Sequence, residues 1–485
     1  MIAAALAGAW PASGQERRRA PGPAPSVAAK PRPAAPAELA AAPLTLDEVL
    51  RSSARTAPQI VEALARVRQA EGRALSARGA FDTVFDVDAR SRALGYYDGS
   101  VAEARVTRPL TGNGGSLYGS YRVTRGDFPI YEDGYYTNRL GELKVGGLFS
   151  LLRDRLIDER RGRVALAAGD VEVARFEAQA TALGVQRRAV DAYQNWVATG
   201  LRLRAYRGLL ELAETRRGAL ERQVALGARP PILLVENDGN IARRRALVVR
   251  SEGELQAAAN ALSFFYRDAE GRPIFVGPER LPDDEALLAR PTPIAAGPDG
   301  RPDLQALLGR VEQAATRLAL AENELRPRLD LRGELSKDVG PEGLGGRTRT
   351  PFEAIAGVRF SVPLQNRAAK GRVAEARADI EGLGARERTL RDQIATEVGG
   401  IGIGVGAAER VAAIADQERA LLERLAAAER RRFDLGSSDF FLVNQREEAA
   451  TDARVRVIDA EARVAAARAE LATATADRGF LGLEP

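Results

Sequence analysis

A chain that catalyses a reaction or binds a metal must bring reactive side chains together, and this one holds neither histidine nor cysteine in its 485 residues. That removes zinc and iron–sulfur sites, thiolate nucleophiles and every constellation built on imidazole. Carboxylates are plentiful, 66 Asp and Glu against 71 Lys and Arg, yet no pair stands at a distinctive spacing. The glycine run GGIGIGVG from Gly399 to Gly406 has the density of a phosphate-cradling loop, but such loops follow a strand, and this one interrupts a helical pattern. A hinge or a tight helix contact is expected there. No catalytic residue, cofactor or metal ligand is assigned, and the chain is not read as an enzyme. What recurs instead is a glycine turn: VALGARPPILLVEN around Gly227 and FDLGSSDFFLVNQR around Gly436, 209 residues apart. Glycine supplies the left-handed conformation that ends a helix and leaves bare backbone for another protein to approach.

The elements holding these turns are also duplicated. Pro58 aligns with Pro302, Val67 with Val311 and Phe85 with Leu329, all at an offset of 244. The first repeat is read as 44–266, with Thr45 as an N-cap, helix as far as Gly79, strands over about 81–151, a long helix over 154–226 and a return helix over 232–266. The second is read as 301–479, with helix 302–325, strands over about 328–362, a long helix over 367–435 and a return helix over 440–478. Residues 267–300 connect the two. The second long run keeps the three- and four-residue apolar spacing of coiled coils, through Val373, Ala376, Ile380 and Leu383. Their return helices cover about half the length, so the helices before the strands are expected to stack end to end with them.

The strand segments change to a period of two, with Phe85 and Val87 alternating with Asp86 and Asp88, and Leu329, Leu331 and Leu335 alternating with Asp330, Arg332 and Glu334. The first repeat has room for four strands and the second for two. No stretch reaches the continuous apolar length of a spanning helix, so a membrane would be crossed by strands with one greasy and one charged face. Six strands cannot close such a barrel, which implies an oligomer. Seven of the ten tyrosines (Tyr96, Tyr97, Tyr118, Tyr121, Tyr131, Tyr135 and Tyr136) fall in the first strand region, where a membrane-interface girdle and ordinary strand propensity are both open readings.

The N-terminal run MIAAALAGAWPASG reads as an export signal and the proline-rich stretch to Pro43 as a linker, giving residues 1–43 as a segment apart from the fold. The mixed charges, net +5, form no isolated basic tract, so nucleic acid is not expected as a partner.

The duplication, the RPDL…RVEQA…ENELRPRLDL stretch, the FSVPLQNR junction and the RRFDLGSSDFFLVNQREEAATDA turn together resemble the TolC-like outer-membrane efflux proteins, over about Leu44 to Gly479. The resemblance implies a mostly α protein with membrane β: a homotrimer whose shared β-barrel, in outer-membrane lipid, continues into a long α-helical coiled-coil barrel in the periplasm. It implies the exit duct of a tripartite efflux pump or a type I secretion system, served by a periplasmic adaptor (membrane fusion) protein and an inner-membrane RND, ABC or MFS transporter. By the same resemblance the hairpin tips, Gly227, Ala228, Arg229, Gly436, Ser437 and Ser438, contact the adaptor. Pore constriction falls to Leu233, Glu236, Leu442 and Gln445. Glu236 is opposite Gln445 in the repeat, so an acidic ring would rest on Glu236 alone. The alternative is a coiled-coil scaffold of the cell envelope that forms no channel.

Overall fold

The structure, a computed structural model, describes residues 42–293, 298–344 and 351–483. The segment read as export signal and linker lies outside these residues except for its last two. The first half of the chain builds α1 (Leu46–Thr56), α2 (Pro58–Arg78), β1 (Val84–Ser91), β2 (Ser100–Pro109), β3 (Ser116–Arg125), β4 (Glu142–Ser150), α3 (Glu159–Ala225) and α4 (Ile232–Ser263). The second half builds α5 (Pro302–Glu324), β5 (Arg328–Asp338), β6 (Glu353–Ser361), α6 (Arg367–Asp434) and α7 (Phe440–Ala474).

At 1.5 Å per residue, the 67 residues of α3 and 68 of α6 each extend about 100 Å. No helix of that length buries one face against a single partner. Instead α2 and α4 both pack along α3, α5 and α7 both pack along α6, and α3 also meets α5 and α7. Helix ends follow local chemistry. α3 starts at Glu159 rather than 154 because Asp154 sits at φ 65° and Asp158 caps the helix, its carboxylate accepting from Arg161 N (3.3 Å). α4 stops at Ser263, short of Tyr266, whose ring turns into the core and whose hydroxyl meets Glu48. The first strand begins at Val84, after a tight turn over Gly79–Phe81.

The glycine run 399–406 forms neither a hinge nor a tight contact within the chain: α6 runs through it unbroken, and a Cβ on Gly399, Gly400, Gly402 or Gly404 would meet nothing within 4 Å. One 18-residue window of α6 is apolar enough on average, by length and composition, for a membrane span. It is not a continuous apolar run, since the longest stretch of α6 free of charged residues lies between Glu397 and Glu409 and is 11 residues long. α6 nevertheless packs lengthwise on α5 and α7, as a strut of the rod.

The main core lies midway along α3, where Leu44, Leu50, Tyr193, Trp196, Leu262 and Leu481 bring together α1, the last turn of α4 and the last described residues. Tyr193 donates to Leu44 O (2.8 Å), and Gln186 Nε2 to Leu50 O (2.9 Å). Burial raises the Tyr193 phenol well above its ordinary pKa, so it stays a donor.

All six strands form one antiparallel sheet in the order β1-β2-β3-β4-β5-β6. Its two halves join through β4 and β5, paired from Glu142–Asp338 to Ser150–Asp330.

Candidate channel wall and periplasmic tip

Register decides what the sheet's two faces are. One row across all six strands reads Asp86, Arg105, Ser120, Lys144, Ser336, Glu353, and the adjacent row reads Phe85, Val106, Gly119, Val145, Leu335, Ala354. Since neighbouring residues of a strand point to opposite faces, one face is mainly charged and polar, with Val101, Leu148 and Ile355 among its exceptions, and the other mainly apolar, with Arg108, Arg125 and Lys337 only toward its strand ends. The charged face pairs internally, with Arg122 to Glu142 at 2.6 Å, Arg332 to Glu334 at 2.8 Å and Arg105 to Glu103 at 2.8 Å. Nothing among the described residues covers the apolar face: Phe85 is 66% exposed, Val145 64% and Val358 69%. Soluble proteins rarely leave such a contiguous apolar surface open, and strands of 8 to 11 residues match a bilayer's thickness.

The tyrosines do not form one girdle. Tyr121 lies on the apolar face, Tyr118 on the charged face, where its hydroxyl meets Glu334, and Tyr131, Tyr135 and Tyr136 fall in the β3–β4 connection.

At the far end of the rods, the two glycine turns are the same motif. Gly227 has φ 72° and Gly436 φ 78°. Ala228 N donates to Gln223 O (2.8 Å) and Gly227 N to Val224 O (2.9 Å); Ser437 N donates to Arg432 O (2.9 Å) and Gly436 N to Phe433 O (3.0 Å). These paired bonds satisfy carbonyls that α3 and α6 would otherwise leave bare. The sequences after the glycines make the tips differ. Arg229 places its guanidinium over the Phe433 ring, 4.9 Å from the centroid, so the first tip clasps the second. Ser437 donates its hydroxyl to Arg432 O (3.0 Å), and Ser438 donates to Glu429. Of the six tip residues only Gly227, Ala228, Gly436 and Ser437 are fully exposed.

Leu233 and Leu442 occupy equivalent first-turn positions of α4 and α7 and are half-buried, Leu233 against the Leu220, Phe433, Phe440 and Val443 cluster. Glu236 and Gln445 are exposed, and nearby Asp238 is paired with Arg217 at 2.7 Å. Sequence reasoning missed two features here. Leu226 and Leu435, both 84% exposed, and Ile232 and Phe441 put apolar side chains beside each turn; their repetition at the 209-residue offset was the available signal. The second feature is a buried charge cluster about one helical turn beyond the first-turn positions. Glu447, fully buried on α7, meets Arg216 of α3, Arg430 of α6 (3.0 Å) and Arg244 of α4 (3.5 Å), while Asn444 accepts from Arg216 (2.9 Å). Four helices thus meet on one carboxylate. Burial pulls Arg244 below its ordinary pKa, yet arginine retains its proton at any cellular pH.

No group of three or more metal-ligating side chains is present among the described residues. No family profile matches the sequence, and neither does any curated protein. Solved structures do match. The chain is similar to the CmeC outer membrane channel of Campylobacter jejuni (14% identity, 89% of this chain and 85% of that one covered, TM-score 0.58). It is also similar to the outer membrane protein VceC of Vibrio cholerae (16%, 89% and 95%, 0.57) and to the open-state MtrE outer membrane channel of Neisseria gonorrhoeae (14%, 89% and 88%, 0.61). The architecture is therefore that of outer-membrane channel proteins, long antiparallel helices continuous with a two-faced sheet. Within that class it is the TolC-like fold, mostly α with two internal repeats.

Proposed function

We propose that the protein is an outer-membrane exit duct, a passive conduit that works in a tripartite efflux pump or type I secretion system and performs no catalysis itself. The observation that carries this reading is the register-wide separation of the sheet into a charged face and an uncovered apolar face, continuous with rods about 100 Å long. A lipid-facing wall with a watery lumen requires that separation. A coiled-coil scaffold does not, and it would leave the apolar face in water.

The outer edges of β1 and β6 have no partner strand among the described residues, and unpaired edges are prohibitively costly in lipid. Closure between copies satisfies them: a homotrimer would contribute eighteen strands, with β1 of one copy pairing with β6 of the next. The same assembly would cover the face of α6 carrying Ile403 and Ile414, 76% and 65% exposed, and the open glycines beside them. The tips then gather at the periplasmic end. There the exposed backbone at Gly227 and Gly436, with Ala228, Arg229, Ser437 and Ser438, would receive a periplasmic adaptor, and Leu233, Glu236, Leu442 and Gln445 would narrow the passage. An inner-membrane RND, ABC or MFS transporter would supply the energy.

Fractionation tests the reading directly. We expect a heat-resistant trimer in the outer-membrane fraction that conducts ions in a planar bilayer; a monomer that needs no detergent after correct export overturns it.

A further inference from the structure

The connection between β3 and β4, residues 126–141, does not stand away from the sheet. It folds back across the charged face and is pinned there at both ends. At its start, Asp127 N donates to Asp98 Oδ1 (2.7 Å) and Gly99 N to Asp127 O (2.9 Å), which locks it to the β1–β2 turn. The fit is close, since a Cβ on Gly99 would stand 2.6 Å from the Phe128 ring. Phe128 is buried, edge-on to Tyr136 with centroids 5.2 Å apart. At its end, Thr137 N donates to Thr124 Oγ1 (3.0 Å) and Asn138 N to Asp338 Oδ1 (2.8 Å). Between these anchors the chain crosses over the strands. Glu132 pairs with Arg92 at 2.6 Å, and Arg122, on the charged face near the same end of the sheet, donates to Gly134 O (3.2 Å) beneath the Tyr135 ring. The space left between connection and strands is a cavity of about 510 Å³, walled by Asp86, Asp88, Arg90, Glu103 and Arg105 from the strands and by Glu132 from the connection.

A segment held by this many bonds is pre-organised. We infer that the β3–β4 connection is an eyelet that narrows the outer mouth of the duct and selects solutes by size, passing small charged molecules through a rim of alternating carboxylates and guanidinium groups and refusing bulky ones. The inference rests on the reading of the charged face as the lumen. It gives a role to the β2–β3 hairpin, which has no counterpart in the second repeat: the hairpin widens the wall, and the connection that follows it restricts the opening again.

The absence of cysteine makes the test clean. A single cysteine at Ser361, exposed on the charged face near the periplasmic end of β6, is challenged from outside intact cells with a small sulfonated maleimide and with a long polyethylene-glycol maleimide. Ser361→Cys should react with the small reagent and resist the long one. Replacing 129–135 by a triglycine in the same background should speed the long reagent about tenfold. Arg92→Gln, which frees Glu132 without shortening the chain, should speed it less. Equal labelling by the long reagent with the native connection, or no change in either variant, overturns the eyelet. If Val358→Cys, on the apolar face, reacts with the charged reagent while Ser361→Cys stays unreactive even with 129–135 replaced, the lumen reading itself has failed.

Discussion

Glu447 is the residue on which the lower rods depend. Its carboxylate is fully buried and three arginines from three other helices converge on it. Removing one partner of a buried pair leaves the other charge unpaired in a poor solvent, which costs roughly 3–5 kcal/mol. Glu447→Ala should therefore lower the melting temperature of the detergent-solubilised oligomer sharply, and Arg430→Ala much less, because Arg430 is 39% exposed while Arg244 is 1% exposed. At the tips the constraint is conformational. Nothing lies within 4 Å of a Cβ at Gly227 or Gly436, so space is available, but φ of 72° and 78° is not a place for a branched side chain. Gly227→Val and Gly436→Val should each cost about 1–2 kcal/mol locally, whereas Asn is tolerated. Oligomer yield should hold while efflux or adaptor capture falls. Glu409 illustrates the sign of a pH effect. Hydrogen bonds from Arg468 and from Thr292 hold its carboxyl below the ordinary range. The stability it contributes is present above the ordinary carboxylate pKa and is lost as pH falls through the lowered value. Glu409→Gln should flatten that part of an acid-unfolding profile.

Among the elements, the strands were the most legible. Alternation marked both faces of β1 and of β5 because the side-chain period of two is carried by adjacent residues. Helix ends were less so: Asp158 as a cap and Asp154 at positive φ follow from how α3 meets α5, where Asn323 Nδ2 donates to Asp154 Oδ1 (2.8 Å). The cluster at Glu447 was invisible, since its members are up to 231 residues apart. The path of the β3–β4 connection was equally invisible, being set by anchors on β3, on β5 and in the β1–β2 turn. Sheet geometry supplies a sharp contrast. A Cβ on Gly115, just ahead of β3, would lie 1.8 Å from Leu148 O, whereas one on Gly119 within β3 would keep 3.8 Å from its nearest neighbour, Lys144 O. Gly115→Ala should abolish assembly of the β2–β3 hairpin into the wall and Gly119→Ala should spare it, as read by heat-resistant oligomer on gels. Likewise Val358→Lys puts a charge on the apolar face, at about 2–4 kcal/mol if it lies near mid-bilayer. Arg359→Ala, one residue along and on the other face, should leave membrane assembly intact.

At the scale of the whole molecule the two repeats are alike in rods and turns but unequal in strands, four against two. That inequality was written in the sequence as the tyrosine- and glycine-rich insertion, while the exposed apolar stripe on α6 with Ile403 and Ile414 was not, because a small apolar residue has the same pattern whether or not the chain itself covers it. The two bare edges of the sheet carry a consequence for biogenesis. On the proposed reading, a single newly exported chain presents one unpaired backbone edge along each of β1 and β6 and a greasy face between them, so it has no stable resting place in either water or lipid. Strand closure and bilayer entry therefore have to be one event, reached only when copies meet. The rate at which the duct matures should accordingly rise more steeply than linearly with the amount of chain exported, and any factor that holds single copies soluble beforehand would set its yield.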